Sequence, residues 1–329
     1  MGVGPTESFQ FDTFLTATIK NYDKELRKNF LEFRPATNVL LDDYGQKDTG
    51  GGKIWQGVAE YGSNPSVKWI GGAETFSQEV SQTALPIQYN WKYIAGSVGW
   101  TRIEKAENRG QAAIFNIAES RLRQLTRSMA TTLNGDIFLD GTGSGGLTIV
   151  GLAALVSTTP STGTVGGLDA STNPYWRNTA VTSCGSFAGN GVKGTTTDLV
   201  QTAFNNATDG MYDTPNVVIS SQDVYEYYNR TLLSTTRYLD SQSKEGDLSF
   251  RALQYNGIKW MWDRQCPSGR MYILNTRYLN FMTDPSMMFE WSEPLSYPNQ
   301  LAYSRLCASR MFLRCTSRMF HAVLDGWSA

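Results

Sequence analysis

Histidine is all but missing from this chain of 329 residues: His321 is its sole copy. Proton-shuttling and transition-metal chemistry usually draw on several imidazoles, so this scarcity argues against ordinary catalysis. Cysteine is nearly as sparse. Cys184, Cys266, Cys307 and Cys315 are widely spread and form no Cys-x-x-Cys pair, which speaks against a zinc site or a disulfide scaffold. Net charge is lacking as well, with 29 Lys and Arg against 30 Asp and Glu, so no global field points to nucleic acid or membrane. No apolar run reaches the ~18 residues of a spanning helix. The start, Met1 to Phe11, has no basic or apolar signal region, and the expectation is a soluble, intracellular chain with no membrane partner.

What is present belongs to a folding protein, since 40% of the residues are hydrophobic and 12% aromatic. Ile103 to Leu139 is the stretch around which the rest is organised. Ile114, Ala118, Leu122, Leu125, Met129, Leu133 and Ile137 follow one another at helical spacing, opposite a charged face with Arg121, Arg123 and Arg127. No proline interrupts it. At ~1.5 Å per residue the run would reach roughly 55 Å, a spine that needs a long partner surface.

Before it, Phe11 to Phe33 repeats the pattern with Leu15, Ile19, Tyr22, Leu26, Phe30 and Phe33, and Pro35 is expected to end that helix. Gly50 to Gly52 then lead into Lys53 to Tyr61, a turn at residues 62–65, and Ser66 to Ile70, which together read as a long β-hairpin. Trp55, Tyr61 and Trp69 on it call for a surface to lie on, because a lone hairpin is marginal in water. Leu85 to Trp100 reads as a strand feeding the spine.

Beyond the spine, GTGSGG (Gly141 to Gly146) breaks the chain. The following half alternates: a helix around Leu199 to Ala207, a buried strand Asn216 to Ser220, a helix from Ser221, a hairpin at Asn256-Gly257 and a strand Arg270 to Leu274. In the tail, Arg310, Arg314 and Arg318 lie four apart as on a helix, while Met311, Leu313, Cys315, Met319 and Val323 share a strand's parity. The basic tail, with Arg305, suits phosphates or, more often, acidic residues of a neighbour.

Catalytic motifs fail on inspection. Ile54 follows Gly52-Lys53 where a phosphate loop needs Ser or Thr. Thr142 stands where a nucleophile elbow before Ser144 needs glycine. A His321–Asp325 dyad has no serine marked for it, and no cofactor or metal is expected.

The order of parts resembles the major capsid protein of tailed double-stranded DNA bacteriophages, the Hong-Kong-97-like coat fold. The resemblance runs through Val67-Lys68-Trp69 to Glu74-Thr75, Asp140-Gly141-Thr142-Gly143, and Gly166-Gly167-Leu168-Asp169 leading to Tyr175-Trp176-Arg177-Asn178. It ends with Met319-Phe320-His321-Ala322-Val323-Leu324. It implies an α+β fold with an N-terminal arm at 1–44 and an extended loop at 45–83. A peripheral domain would comprise 84–157 and 275–329, and an α/β axial domain 158–274. It implies a non-enzymatic shell protein forming pentamers and hexamers around double-stranded DNA that it does not read. The virion would be assembled in the host bacterial cytoplasm, with a separate scaffolding protein and portal and room for a decoration protein. Trp55, Tyr61, Trp69, Arg310, Arg314 and Arg318 are the candidate assembly contacts. Two alternatives stand beside it: a soluble α/β hydrolase, and a non-viral compartment shell of the same fold.

Overall fold

The computed structural model describes residues 34–43, 45–48, 51–60, 67, 69, 71–72, 83–101, 103–104, 111–192, 197–210, 213–235, 253–293, 295–296 and 301–328. The helix expected over 11–33 lies outside them. Pro35 opens a helical turn instead of closing one. Having no N–H to leave unpaired, it suits the first helical position, and Pro35–Thr37 runs on into a π-helical stretch, Asn38–Asp43.

Strand β1 (Ile54–Glu60) pairs antiparallel with β2 (Ala84–Asn90), from Ile54 opposite Asn90 to Glu60 opposite Ala84. This corrects one expectation: the partner of β1 begins at Ala84, and of Ser66 to Ile70 the described residues, Val67 and Trp69, lie in no strand. The cause is pattern: Ile87 and Tyr89 alternate with exposed Gln88 and Asn90, in register with Trp55, Gly57 and Ala59 on the inward face of β1. Trp91 interrupts the strand expected over Leu85 to Trp100, and β3 (Lys92–Thr101) continues into a different sheet.

A helical turn at Ile103–Glu104 precedes the spine helix α1 (Gln111–Ile137), whose 27 residues span about 40 Å. Leu122, Met129, Leu133 and Ile137 are buried as the stripe requires. Gly96 of β3 sits under Leu125: a Cβ there would stand 2.4 Å from Leu125 Cδ1, so the missing side chain lets helix and strand approach.

The second unit contains β4 (Thr179–Val181), α2 (Leu199–Asn206), β5 (Val217–Ser220), α3 (Gln222–Thr235), β6 (Leu253–Tyr255), β7 (Ile258–Trp262) and β8 (Met271–Leu274). Asn256 and Gly257 both adopt positive φ, as a two-residue hairpin turn between β6 and β7 demands. The chain then returns through β9 (Leu279–Thr283), the fourteen-residue β10 (Ala302–Cys315) and β11 (Ala322–Leu324).

β10 is the axis of the first sheet, pairing with β3 along Ala302 to Met311 and with β9 along Met311 to Cys315. Short strands at Gln46–Lys47, Glu290–Trp291 and Leu295–Ser296 complete it. Arg310 and Arg314, like Met311, Leu313 and Cys315, therefore lie on one strand, where residues four apart share a face just as residues two apart do, whereas Arg318 and Met319 lie beyond its end. The second sheet runs β6-β7-β5-β8-β11-β4. Val218 of β5 belongs to one core cluster with Val200, Val224 and Tyr228, while Val217 and Ile219 belong to the other, with Ile137 and Phe138 from the end of α1. Covering on both faces explains the unbroken apolar run there.

Within 275–329, β9 and β10 belong to the first sheet whereas β11 joins the second. Ala322, Val323 and Leu324 are all buried, and a slot between β8 and β4 is the place that covers both their faces. The crossing from β10 to β11 is held by Arg318. Its buried guanidinium donates to the carbonyls of Leu155, Ala154 and Trp176 and to Asn178 Oδ1, at 2.7 to 3.2 Å.

Candidate assembly surfaces

The root of the β1–β2 hairpin rests on one face of β10. Arg310, Phe312 and Arg314 alternate along that strand and so point the same way. Phe312 packs against Trp55, Tyr89 and Trp91 at centroid distances of 6.1, 5.9 and 4.7 Å. Arg310 lies 4.4 Å above the Trp91 ring and Arg314 5.1 Å above the Trp55 ring, so the central aromatic is flanked by two cation–π contacts. Gly57 leaves space for the Trp55 indole, against which any Cβ at that position would collide. Tyr89 donates to the Cys315 carbonyl at 2.8 Å, and burial pushes its hydroxyl pKa well up.

Each arginine has further partners in its own chain. Arg310 Nη1 donates to Asp284 Oδ2 at 2.9 Å and Nη2 to the Gly52 carbonyl. Hydrogen bonds from Ser286, and then Arg310, hold the Asp284 carboxyl below its usual range. Arg314 donates to Asn280 Oδ1 at 2.7 Å and to Gln46 Oε1 at 2.8 Å, and burial lowers its own pKa.

On the opposite face of the hairpin Ile54 and Val58 are exposed beside the polar Gln56, Glu60, Gln88 and Asn90, and outside the paired strands Val67 is 83% exposed and Trp69 fully exposed. A full tryptophan surface left in water is a candidate for contact with a second molecule.

Of the expected contacts among the described residues, Trp69 alone is fully exposed. Tyr61 lies outside the described residues. Trp55 is half-buried against its own Phe312, and Arg310 finds its acid in its own Asp284, not in a neighbour. Arg318 is a correction outright: with no exposed surface it serves the crossing between the sheets and cannot reach a partner. Strand geometry made these arginines look alike in sequence, and their depth separates them.

His321 is fully buried, and its Nδ1 accepts from the Asn275 N–H at 3.1 Å. Burial, and then the Arg318 charge, push its pKa down to about 3. Asp325 is engaged by Arg270 at 2.9 and 3.0 Å, so the imagined dyad is not formed. Among the described residues no group of three His, Cys, Asp or Glu could hold a metal, and no helix is long and apolar enough to cross a membrane. An open groove of about 810 Å³ along α1 is lined by polar side chains such as Arg123, Gln124 and Arg127.

Two features escaped the sequence reading. Phe312 could have been found from its parity between two arginines. Thr101 and Glu104 form a reciprocal capping box, with Thr101 N–H to Glu104 Oε2 at 3.0 Å and Glu104 N–H to Thr101 Oγ1 at 3.1 Å. The Thr-x-x-Glu signature was there to see. Arg121 pairs with Glu104 at 2.6 Å and, chiefly through that hydrogen bond, lowers its carboxyl to about 2.

No family model matches the chain, and no curated protein resembles it in sequence. Among solved structures it is similar to a chain of the cyanophage A-1(L) capsid asymmetric unit. The TM-score is 0.64 and the identity 16%, over 89% of this chain and 92% of that one. The chain has the Hong-Kong-97-like capsid fold. Members of that fold to which it is also similar include the capsid of Myoviridae phage XM1, with TM-score 0.52 and 11% identity over 88% and 91% of the two chains. A third is the holo encapsulin complex of Synechococcus elongatus PCC 7942, with TM-score 0.53 and 12% identity over 89% and 88%.

Proposed function

We propose that this protein is a major capsid protein whose copies assemble, as pentamers and hexamers, into a closed icosahedral shell around double-stranded DNA. The observation that carries the reading is the capsid fold combined with the exposed apolar residues Ile54 and Val58 on the outer face of the hairpin and the fully exposed Trp69. Obligate interfaces bury ~2,000–5,000 Å², and a hairpin of this kind is the element available to supply such area. The near-neutral net charge suits a wall around DNA that it does not read. A scaffolding protein, a portal, a decoration protein and assembly in the host cytoplasm before incorporation into the virion belong to the same proposal.

The likeness to an encapsulin favours one second reading, a compartment shell loaded with protein instead of DNA. Electron microscopy of the protein expressed alone and with its neighbouring genes separates the two. Closed shells containing nuclease-protected DNA support the first, and shells filled with a co-purified enzyme support the second. A featureless monomer across a wide concentration range would sink both.

The hairpin gives a sharper arm to this test. Replacing residues 61–82 with a short Gly-Ser bridge joins Glu60 to Thr83, beside the last β1–β2 pair, and leaves the root on β10 intact. The subunit should keep its far-UV spectrum and cooperative melting yet form no closed shells. Normal shells from this variant would show that the hairpin is not a bridge.

A further inference from the structure

Both ends of the hairpin root converge on one guanidinium. The Gly52 carbonyl, just before β1, accepts from Arg310 Nη2, and the Trp91 ring, just after β2, lies under the same group. Trp91 N–H also reaches the Lys53 carbonyl at 3.4 Å, closing the root across the strands. Arg310 is in turn fixed to the body. Asp284 accepts from its Nη1 at 2.9 Å, and the Asp284 N–H donates to the Arg310 carbonyl at 3.2 Å. Asp284 is itself oriented by the Ser286 N–H and hydroxyl, at 3.0 and 2.6 Å on Oδ1. The backbone leading into β1 has little stiffness of its own, because Gly51 and Gly52 both sit at positive φ and Gly51 has open space around it.

We propose that Arg310 is a positioning residue that sets the direction in which the hairpin leaves the body. It thereby acts on assembly through the hairpin, without touching a neighbouring copy. The consequence for shells rests on the capsid reading, whereas the pointing itself is a property of the single chain. The clamp works together with the buried inner face of the hairpin, where Ala59 and Ile87 are covered and the Gln88 N–H donates to the Gly166 carbonyl at 3.0 Å, so a shift at the root is carried into the chain that leaves at Glu60 and returns at Ala84. Arginine suits the position because its planar fork can stack on an indole while its in-plane N–H groups reach a carboxylate and a carbonyl. Lysine keeps the charge but not that combination.

The test uses the full-length chain with spin labels on Val67→Cys near the tip and Ser128→Cys on the exposed face of α1. The four native cysteines are buried and stay unlabelled. Distances are read by double electron–electron resonance on subunits held below the assembly concentration. Arg310→Lys and Asp284→Asn should each broaden the tip-to-spine distribution about twofold, with cooperative melting retained, because each breaks the fork at a different end. At matched concentration both should yield at least about tenfold fewer closed shells. An unchanged distribution in both variants overturns the proposal. So does loss of cooperative melting in both, which would make the contact part of the fold and not a pointing device. If the distribution broadens while the unmutated chain forms no shells at all, the positioning role stands and the capsid reading falls.

Discussion

Asn134, in the spine helix, donates to the carboxylate of Asp263 at 2.9 Å across 129 positions of sequence, and both residues are buried. The pair is the centre of a closed polar network. Thr37 Oγ1 donates to Asn134 Oδ1 at 2.8 Å, the Ala36 N–H to Asp263 Oδ2 at 3.3 Å, and the Gln265 N–H to Asp263 Oδ1 at 2.9 Å. One amide therefore ties residues 36–37 to α1 and to the turn after β7. Asn134→Leu strips a donor from a buried carboxylate, a loss of about 1–3 kcal/mol. The urea midpoint should fall at unchanged slope; an unaltered midpoint would show that the network contributes nothing.

Protonation of His321 should couple stability to pH with a definite sign. The folded pKa is pushed down to about 3, whereas an unfolded histidine titrates near ~6.5. Below that value the unfolded chain takes up a proton that the folded chain refuses. The contribution is therefore complete above about pH 6.5 and is lost on acidification, by about 1.4 kcal/mol per pH unit. Between about pH 6 and 5, above the ordinary carboxylate range, His321→Gln should flatten the slope of unfolding free energy against pH. An identical slope in the variant would contradict the assignment.

Leu133 is buried where α1 meets the first core cluster. Leu133→Ala should cost about 2–5 kcal/mol, through lost transfer energy and a residual cavity. Calorimetry on the unassembled subunit gives the comparison. A change under 1 kcal/mol, within about the noise of surface substitutions, would mean that the stripe had been misread.

Trp69→Ala should do the reverse, leaving the melting temperature of the subunit alone while weakening assembly. Truncating a central aromatic anchor commonly costs ~2 kcal/mol or more at an interface, and the change repeats in every copy. The critical concentration for shell formation, followed by light scattering, should rise. If the subunit melts lower instead, Trp69 belongs to its own fold.

Much of this arrangement was legible because local pattern and final environment agree. The stripe from Leu122 to Ile137, the Asn256-Gly257 turn and the buried run Val217 to Ile219 each have one physical reading at their length. Strand pairing was less legible. Trp55 and Val67 both sit in β-prone surroundings, and nothing short-range says that the partner of β1 starts at Ala84, beyond the intervening segment. The arginines were hardest. Arg310, Arg314 and Arg318 look alike in sequence, yet one clamps a hairpin root, one stacks on Trp55, and one is buried against carbonyls from residues 154–176. Burial depth is set by how the sheets close, and no periodicity carries it.

The slot filled by β11 has a consequence for the order of events during synthesis. Its neighbours β8 and β4 are translated long before Ala322 to Leu324, so a growing chain carries the second sheet with two unpaired inner edges until that late strand arrives. Until then the nascent subunit has edges that invite wrong pairing and lacks the finished surface that a lattice would accept. Closing this gap is a long-range step, intrinsically slow compared with forming α1 or the β6–β7 turn. If copies assemble as proposed, the arrival of this late strand sets the earliest moment at which a subunit is ready to join others.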